Sequence, residues 1–265
     1  MKPLSILIVV SFIFLTASFG LAQTKLPSKR KVHLYLLLGQ SNMAGRGELE
    51  AADLLPHPRV WAFTLDKQWE PAVEPITKDR SYALGVGPGV AFGKLMAEQN
   101  PGVHIGLIPC AVGGTPLHRW SRGGDLYSNA VVRAKEAVRH GTLKGVLWHQ
   151  GENDSSREED AKSYGERLAR MISDLRTDLK QPKLPFVAGE IGEFLYTRKQ
   201  PEKTAHARVI NAALREIPQR VPNTACVLSA GLAHKGDEVH FDARSQRELG
   251  KRYAEEMARL QKNKP

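Results

Sequence analysis

A serine follows the first predicted strand of the chain, at a position where a parallel sheet would present it to a ligand. Residues 32–38 read VHLYLLL, and Gly39, Gln40 and Ser41 come directly after them. Ligands of open parallel sheets bind beyond the carboxyl ends of the strands. Gly39 permits a tight turn, and the main-chain amide behind Ser41 can face an oxyanion. Ser41 is therefore a candidate nucleophile, although Met43 stands where the Gly-x-Ser-x-Gly elbow requires its second glycine.

Asp237 and His240 form a second polar group, just before the last predicted helix. A serine nucleophile needs a base to take its proton, and that base needs a carboxylate to hold it in the correct tautomer. Because they stand three residues apart in one short loop, Asp237 and His240 can supply both. A helix-capping aspartate beside a surface histidine is the structural alternative.

Two further loops follow predicted strands and carry hydrogen-bond donors. The motif IPCAVGGT contains a double glycine, and the motif WHQGEND ends in polar side chains. A tetrahedral oxyanion needs two or three converging donors. The main-chain amides of Ser41 and Gly114, together with a side-chain amide of Gln150 or Asn153, would meet this need. Ordinary strand-to-helix loops with a capping Asn or Asp are the alternative.

Short β-rich segments alternate with segments of helical periodicity along most of the chain. This alternation is typical of a three-layer α/β/α sandwich, and continuous apolar strands are expected where helices cover both faces of a parallel sheet. With no internal repeat or linker, we predict one domain over residues 23–265 with a mostly parallel central sheet. The predicted strands cover residues 32–38, 59–63, 103–108, 145–149, 186–191 and 225–229. The residues of the predicted apolar helical faces are Tyr164, Leu168, Ile172, Leu175 and Leu179 in one helix, Val209, Ala213 and Ile217 in a second, and Leu249, Tyr253, Met257 and Leu260 in a third.

The composition is that of a globular enzyme. Of 265 residues, 42% are hydrophobic and 25% charged, which excludes a disordered tail, a collagen-like fibre and a disulfide-rich miniprotein. The formal net charge is +10. Such a charge affects solubility and non-specific binding, and no motif that reads DNA or RNA accompanies it. We therefore expect no nucleic-acid partner.

The first 22 residues have the pattern of a secretory signal peptide. Lys2 supplies the basic start, residues 4–19 are apolar, and small residues lead up to a cleavage site after Ala22. The apolar run is shorter than the ~20 residues that a spanning helix needs, which disfavours an uncleaved anchor. Cleavage would leave Gln23 first and a net charge of +9, in the periplasm or outside the cell. We expect no membrane association after cleavage.

The cysteine content predicts neither a metal site nor a cofactor. Cys110 and Cys226 are the only cysteines, and no Cys-x-x-Cys pair occurs. An exported protein can form a disulfide between them, but both stand in apolar segments typical of buried thiols, so both alternatives stay open. His234, Asp237 and His240 form one alternative metal set, although the intervening glycine favours a loop and a metal would leave the GQSNM motif without a role.

Taken together, the motifs GQSNM (39–43), IPCAVGGT (108–115), WHQGEND (148–154) and DEVHF (237–241) resemble the SGNH hydrolase superfamily. Within it they are similar to the branch of sialate O-acetylesterases and of carbohydrate esterase family six, the acetyl xylan esterases. The motifs occur in the family's order and span nearly the whole mature chain. The resemblance implies a flavodoxin-like sandwich and metal-free ester hydrolysis.

The resemblance also implies roles for individual residues. Ser41 would be the nucleophile, His240 its base and Asp237 the group that orients the base. The superfamily's Gly-x-Asn-Asp block would select Asn153 for the oxyanion hole, whereas the acetylesterase branch, with Gln before Gly-Glu, would select Gln150. This chain has both side chains, and we favour Gln150.

These observations predict a secreted carbohydrate acetylesterase that acts on acetylated xylan or sialic acid through an acyl-enzyme. Trp120, His149 and Glu152 are candidate substrate contacts, and Trp120 is able to stack on a sugar ring. One alternative is a lipase or peptidoglycan O-acetylesterase of the same superfamily, although the polar and basic loops favour a small acetyl group. The other alternative is a carbohydrate-binding relative without catalysis.

Overall fold

A seven-stranded sheet with the order β3-β2-β4-β1-β5-β6-β7 forms the centre of the protein. A computed structural model describes residues 26–78 and 84–262, so the predicted signal peptide over residues 1–22 lies outside the described residues. All neighbouring strands are parallel except β2 and β3, which pair antiparallel. The strands are β1 (Val32–Gly39), β2 (Val60–Phe63), β3 (Trp69–Pro71), β4 (His104–Pro109), β5 (Thr142–His149), β6 (Phe186–Gly189) and β7 (Thr224–Val227).

Helices cover both faces of this sheet. Apolar side chains of α3, α4 and α5 pack on one face, and those of α2 and α6 pack on the other. The predicted three-layer α/β/α sandwich with a mostly parallel sheet is therefore confirmed. The helices are α1 (Ser41–Ala44), α2 (Pro88–Gln99), α3 (Asp125–Ala137), α4 (Glu158–Asp178), α5 (Ala207–Arg220) and α6 (Ala243–Lys262).

The central strand β1 explains why residues 32–38 are almost continuously apolar. Leu34 and Leu36 contribute to the core under α3 and α4, whereas Tyr35 and Leu37 contribute to the core under α2 and α6. Successive side chains of a strand point to opposite faces, and here both faces are buried. β1 therefore ends in the interior, with its last residues beside the ends of β4 and β5.

All six predicted strands are present, with bounds that differ by up to three residues at either end. The sequence did not predict β3, because three residues at an antiparallel edge give no readable periodicity. The predicted face of α5 is wrong by one residue: Val209 is 39% exposed, whereas Ile210 and Leu214 are fully buried. Positions 209-213-217 and 210-214-217 both fit a helical period, and only packing against the sheet distinguishes them.

The two cysteines are too far apart for a disulfide. Cys110 directly follows β4 and Cys226 lies in β7, so β1, β5 and β6 separate them. With strands about 4.8 Å apart, four steps across the sheet give roughly 19 Å, far beyond bridging distance. Both are free thiols, and burial raises the pKa of Cys110 to about 11. The alternative of two unbonded thiols is therefore correct, with Cys110 buried and Cys226 partly buried.

No helix in residues 26–78 or 84–262 has both the length and the apolar character needed to cross a membrane.

Candidate active site

Ser41 stands where β1 ends and the short helix α1 begins. The turn between them depends on Gly39, which has a φ of +133°. A Cβ atom on Gly39 would lie 2.0 Å from the carbonyl oxygen of His149, and the N–H of Gln40 donates to the same oxygen at 2.9 Å. The close approach of β1 and β5 therefore requires glycine here and turns Ser41 toward a cavity at the end of the sheet.

A continuous chain of hydrogen bonds joins Ser41 to His240 and Asp237. Nε2 of His240 lies 2.9 Å from the Ser41 hydroxyl oxygen, and Nδ1 lies 2.7 Å from Oδ2 of Asp237. The other carboxylate oxygen, Oδ1, accepts the main-chain N–H groups of Val239 at 2.9 Å and His240 at 2.8 Å. With Asp237 ionised, Nδ1 of His240 donates to Asp237, and the lone pair on Nε2 faces the hydroxyl proton of Ser41.

The environment favours a neutral His240 beside an ionised Asp237. Burial lowers the pKa of His240, and the hydrogen bond and charge of Asp237 offset this only in part. Burial alone would raise the pKa of Asp237, but the hydrogen bonds from His240 and Val239 lower it below its ordinary value. The pair is therefore in the protonation state that a general base requires at neutral pH.

Asn42 connects the three segments that carry these residues. Its Nδ2 donates to Oε1 of Glu152 at 2.6 Å and to the carbonyl oxygen of Val239 at 3.2 Å, and its Oδ1 accepts the N–H of Phe241 at 3.1 Å. Asn42 is fully buried, so these bonds are not in competition with water. The end of β1, the loop after β5 and the loop before α6 are thus held together through one side chain.

Glu152 and His149 lie behind this connection, where burial favours the neutral form of each. Burial raises the pKa of Glu152 to about 7 against the hydrogen bond from Asn42, and burial lowers the pKa of His149 to about 3. Nδ1 of His149 contacts the hydroxyl of Tyr253 at 3.0 Å, and its Nε2 lies 4.0 Å from Oε1 of Glu152. Oε2 of Glu152 has no hydrogen-bond partner among the described residues.

Three N–H donors face the space beside Ser41. Within the part of the chain that the structure describes, the main-chain N–H groups of Ser41 and Gly114 make no hydrogen bond. Nδ2 of Asn153 donates one proton to the carbonyl oxygen of Gly114 at 2.9 Å and keeps a second proton. All three residues line the same cavity, so they are able to converge on one oxygen atom.

Gln150 is not such a donor, and the preference for it over Asn153 is corrected. Its Nε2 donates to Oδ2 of Asp154 at 2.7 Å, to the carbonyl oxygen of Thr115 at 3.1 Å and to Oε1 of Gln40 at 3.2 Å. Gln150 is fully buried, and its two protons already have three acceptors. The charge of Asp154 holds the amide away from the cavity.

Trp120 and His149 are not substrate contacts either. Trp120 is 1% exposed, packs edge-on against Trp148 at 5.6 Å and donates from Nε1 to Thr115 at 3.2 Å. His149 is fully buried against Phe241. Both rings pack in the core, and only Glu152 of the three predicted contacts reaches the cavity wall.

The cavity beside Ser41 has a volume of 520 Å³ and a cationic rim. Arg46, Arg198 and Lys203 line it, and Glu152 is the only carboxyl group in its described lining. Arg198 and Lys203 come from the loop between β6 and α5, where no motif predicted a functional role. The remaining lining residues are Gln40, Ser41, Gly113, Gly114, Asn153, Ser156, Thr204, Val239 and His240.

The alternative metal set does not converge. In residues 26–78 and 84–262 no three His, Cys, Asp or Glu side chains are placed to hold one ion. Nδ1 of His234 accepts two main-chain N–H groups, and both ring nitrogens of His240 are engaged by Asp237 and Ser41.

Comparisons with known proteins agree with this geometry. A family model described as carbohydrate esterase, sialic acid-specific acetylesterase, matches residues 31–259. The chain is 33% identical over 236 residues to the probable carbohydrate esterase At4g34215 of Arabidopsis thaliana, covering 82% of this chain and 86% of that protein. The X-ray structure of the Arabidopsis protein gives a TM-score of 0.77 at 32% identity and covers 86% of this chain and 98% of that one.

Two more distant structures share the fold. The crystal structure of NanS has a TM-score of 0.72 at 18% identity and covers 90% of this chain and all of that one. XAC1771, a carbohydrate acetylesterase from Xanthomonas citri, has a TM-score of 0.65 at 17% identity, with coverage of 88% of this chain and 57% of that one. At these identities the likeness concerns the fold alone.

Proposed function

The chain belongs to the carbohydrate esterase family of sialic acid-specific acetylesterases, and we propose that it removes O-acetyl groups from a carbohydrate through an acetyl-enzyme on Ser41. The observation that carries this proposal is the hydrogen-bond chain from Asp237 through His240 to the Ser41 hydroxyl. A hydroxyl has little nucleophilicity until a base takes its proton, and this chain provides a neutral base already in contact with it.

The reaction proceeds in two balanced steps. Ser41 Oγ attacks the acetyl carbonyl carbon while Nε2 of His240 takes the hydroxyl proton, and the C=O electron pair moves onto oxygen. The oxyanion collapses, the bond to the sugar oxygen breaks, and His240 returns its proton to the departing sugar hydroxyl. Water then adds to acetyl-Ser41 by the same route and releases acetate. Asp237 stabilises the imidazolium formed in each step.

The oxyanion hole is formed by the main-chain N–H groups of Ser41 and Gly114 and by Nδ2 of Asn153. These donors are already in place, so no reorganisation accompanies the development of negative charge. Gly114 has a φ of +68°, a conformation that residues with a side chain rarely adopt, which explains the second glycine of that motif.

The lining of the cavity supports a small acyl group on an acidic sugar. Val239 is the only apolar side chain in the described lining, so a long acyl chain would find few hydrophobic partners, which disfavours a lipase. Arg46, Arg198 and Lys203 suit a substrate that carries a carboxylate near the ester, such as an acetylated sialic or uronic acid. Acetylated xylooligosaccharides, which need no such charge, are the second candidate substrate.

Ester hydrolysis by purified protein tests the catalytic proposal. We expect the wild type to hydrolyse 4-nitrophenyl acetate in preference to the butyrate and octanoate, with and without EDTA, and Ser41→Ala to be inactive. Ser173→Ala, which alters an exposed serine on α4, is the matched control and should retain full activity. Loss of activity in EDTA together with an active Ser41→Ala would refute the serine mechanism. Carbohydrate binding without turnover in the wild type would favour the non-catalytic alternative.

The charge preference needs a separate experiment. We expect kcat/KM to be higher for acetylated glucuronic acid than for acetylated glucose, and Arg198→Gln with Lys203→Gln to lower only the former. A hydrogen bond to a charged group is worth about 1.5–3 kcal/mol, or about tenfold or more in kcat/KM for each cation. Lys67→Gln with Lys180→Gln, at two exposed positions outside the cavity lining, removes equal charge elsewhere. Equal kcat/KM for both sugars would point to a neutral substrate.

We also propose that the protein is exported and cleaved after Ala22. N-terminal sequencing of the mature protein from the periplasm or the medium should begin at Gln23. An intact N-terminus on a cell-bound protein would contradict this.

A further inference from the structure

The loop that carries Asp237 and His240 is closed at its base by a short antiparallel pair. His234 and Phe241 form an isolated bridge. The N–H of Lys235 donates to the carbonyl oxygen of His240 at 2.9 Å, and the N–H of Asp242 donates to that of Ala233 at 3.1 Å. The two members of the hydrogen-bond chain to Ser41 therefore lie within one tight six-residue loop over residues 235–240.

Inside this loop a histidine ring nitrogen organises the main chain. Nδ1 of His234 accepts the N–H of Gly236 at 3.0 Å and the N–H of Glu238 at 3.2 Å. These residues flank Asp237, and both have positive φ values, +110° for Gly236 and +59° for Glu238. A left-handed non-glycine residue persists only when its surroundings hold it. The two bonds to His234 are such a restraint on either side of Asp237.

The restraint requires a lone pair on Nδ1. In a neutral imidazole one nitrogen accepts and the other carries the proton, whereas in the protonated ring both nitrogens are donors. His234 therefore fills its role only as the neutral tautomer with the proton on Nε2. The ring also packs against Phe194 with centroids 5.3 Å apart, and Phe194 contacts Phe241 at 5.1 Å. Packing and hydrogen bonding are thus separate properties of one side chain.

We propose that His234 is a positioning residue for the reaction, acting through the main chain of the loop. Its lone pair fixes the direction in which Asp237 points, and Asp237 in turn fixes the imidazole of His240 against Ser41. This inference rests on the proposed function of that hydrogen-bond chain. It predicts that hydrolysis depends on two histidine lone pairs: that of His240, which accepts the proton, and that of His234, which keeps the loop in shape.

Two substitutions separate the acceptor from the ring. His234→Asn places an amide oxygen near the position of Nδ1 and removes the ring, whereas His234→Phe keeps an aromatic ring against Phe194 and removes the acceptor. Misplacement of a catalytic group by about 1 Å costs about 100-fold in rate. We therefore expect kcat of His234→Phe to fall by about that factor with little change in KM, and His234→Asn to stay within about threefold of wild type.

The pH profile gives a readout that a purely structural role would not change. The acid limb of log(kcat/KM) reports the protonation of the base His240. Asp237 raises the pKa of His240, so a displaced Asp237 in His234→Phe should move the acid limb to lower pH. The charged and titratable groups around His234 are the same in every variant: Lys235, Asp237, Glu238 and His240 in its loop, and Glu48, Glu50, Asp242 and Arg244 along the adjoining cleft.

The experiment measures kcat, KM and pH profiles for 4-nitrophenyl acetate with both variants, Ser41→Ala and His140→Asn. His140 is exposed, lies against Trp69 and is far from the loop in sequence, so it controls for loss of a ring-packed histidine. Thermal unfolding of each variant reports whether it is folded. A dead Ser41→Ala with wild-type behaviour of His234→Phe would overturn this inference alone. An active Ser41→Ala would overturn the proposed function itself. Greater damage from His234→Asn than from His234→Phe would show that ring packing, not the acceptor, matters.

Discussion

The free energy of unfolding of the wild type is expected to fall between mildly acidic and neutral pH. Glu152→Gln should abolish this fall. Burial raises the pKa of Glu152 from its ordinary value of 4.5 to about 7 in the folded protein. As the pH rises, the unfolded chain therefore releases this proton before the folded protein does. The contribution of Glu152 to the free energy of unfolding is fully present below pH 4.5 and is lost as the pH approaches 7.

The size of the effect follows from the two pKa values. They differ by about 2.5, and one pKa unit is worth about 1.36 kcal/mol, which gives about 3 kcal/mol. Glutamine carries no proton to release. Its Oε1 still accepts Nδ2 of Asn42, and its amide nitrogen replaces Oε2, the oxygen that has no partner among the described residues. The substitution therefore removes the charge without removing a hydrogen bond.

Urea unfolding between pH 4 and pH 8 measures this difference. The free energy of unfolding of Glu152→Gln minus that of the wild type should increase by about 3 kcal/mol across the range, at constant m-value. Glu166→Gln is the matched control, because Glu166 is an exposed carboxylate on α4 that pairs with Arg170. Its difference from the wild type should stay flat. Parallel curves for Glu152→Gln and the wild type would refute the reasoning, since Glu152 would then titrate alike in both states.

Asn153→Ala is expected to lower kcat by about 100- to 1000-fold at nearly constant KM, because one oxyanion donor is lost; an unchanged kcat in steady-state hydrolysis would exclude Asn153 from that role. Asp237→Asn should lower kcat by about 10⁴-fold. It should also move the acid limb of kcat/KM to lower pH, since the anion that raises the pKa of His240 is gone; an unmoved limb would contradict this. Gly39→Ala should lower the melting temperature by about 10 °C or prevent folding, because its Cβ would overlap the carbonyl oxygen of His149. A normal melting curve would show that the ends of β1 and β5 separate easily.

Much of the scaffold was predictable because its signals are local. A strand buried on both faces must be continuously apolar, so residues 32–38 identify β1 without any knowledge of its neighbours. The chemistry of a serine ester hydrolase needs a hydroxyl, an imidazole and a carboxylate. Ser41, His240 and Asp237 stand in short loops after or between predicted elements, and the structure brings them together.

The errors came from side chains whose direction is set by distant residues. Gln150 and Asn153 are both amides in one loop, and their spacing gives no reason to prefer either. The buried charge of Asp154, paired with Arg167 of α4 at 2.8 Å, draws Gln150 inward and leaves Asn153 at the cavity. Trp120 was expected at the cleft. It packs in the core instead, because the ring of Trp148 lies beside it.

The sequence by itself determined the layered fold and the types of residue that can do the chemistry, because periodicity and reactivity belong to short segments. Tertiary structure alone decided what surrounds them. Arg198 and Lys203 lie more than 150 residues from Ser41 and reach its cavity only because the loop between β6 and α5 passes over the end of the sheet. His234 restrains the loop that carries Asp237 only because two residues there adopt left-handed conformations. The sequence alone does not give the direction of a side chain, because tertiary packing sets it.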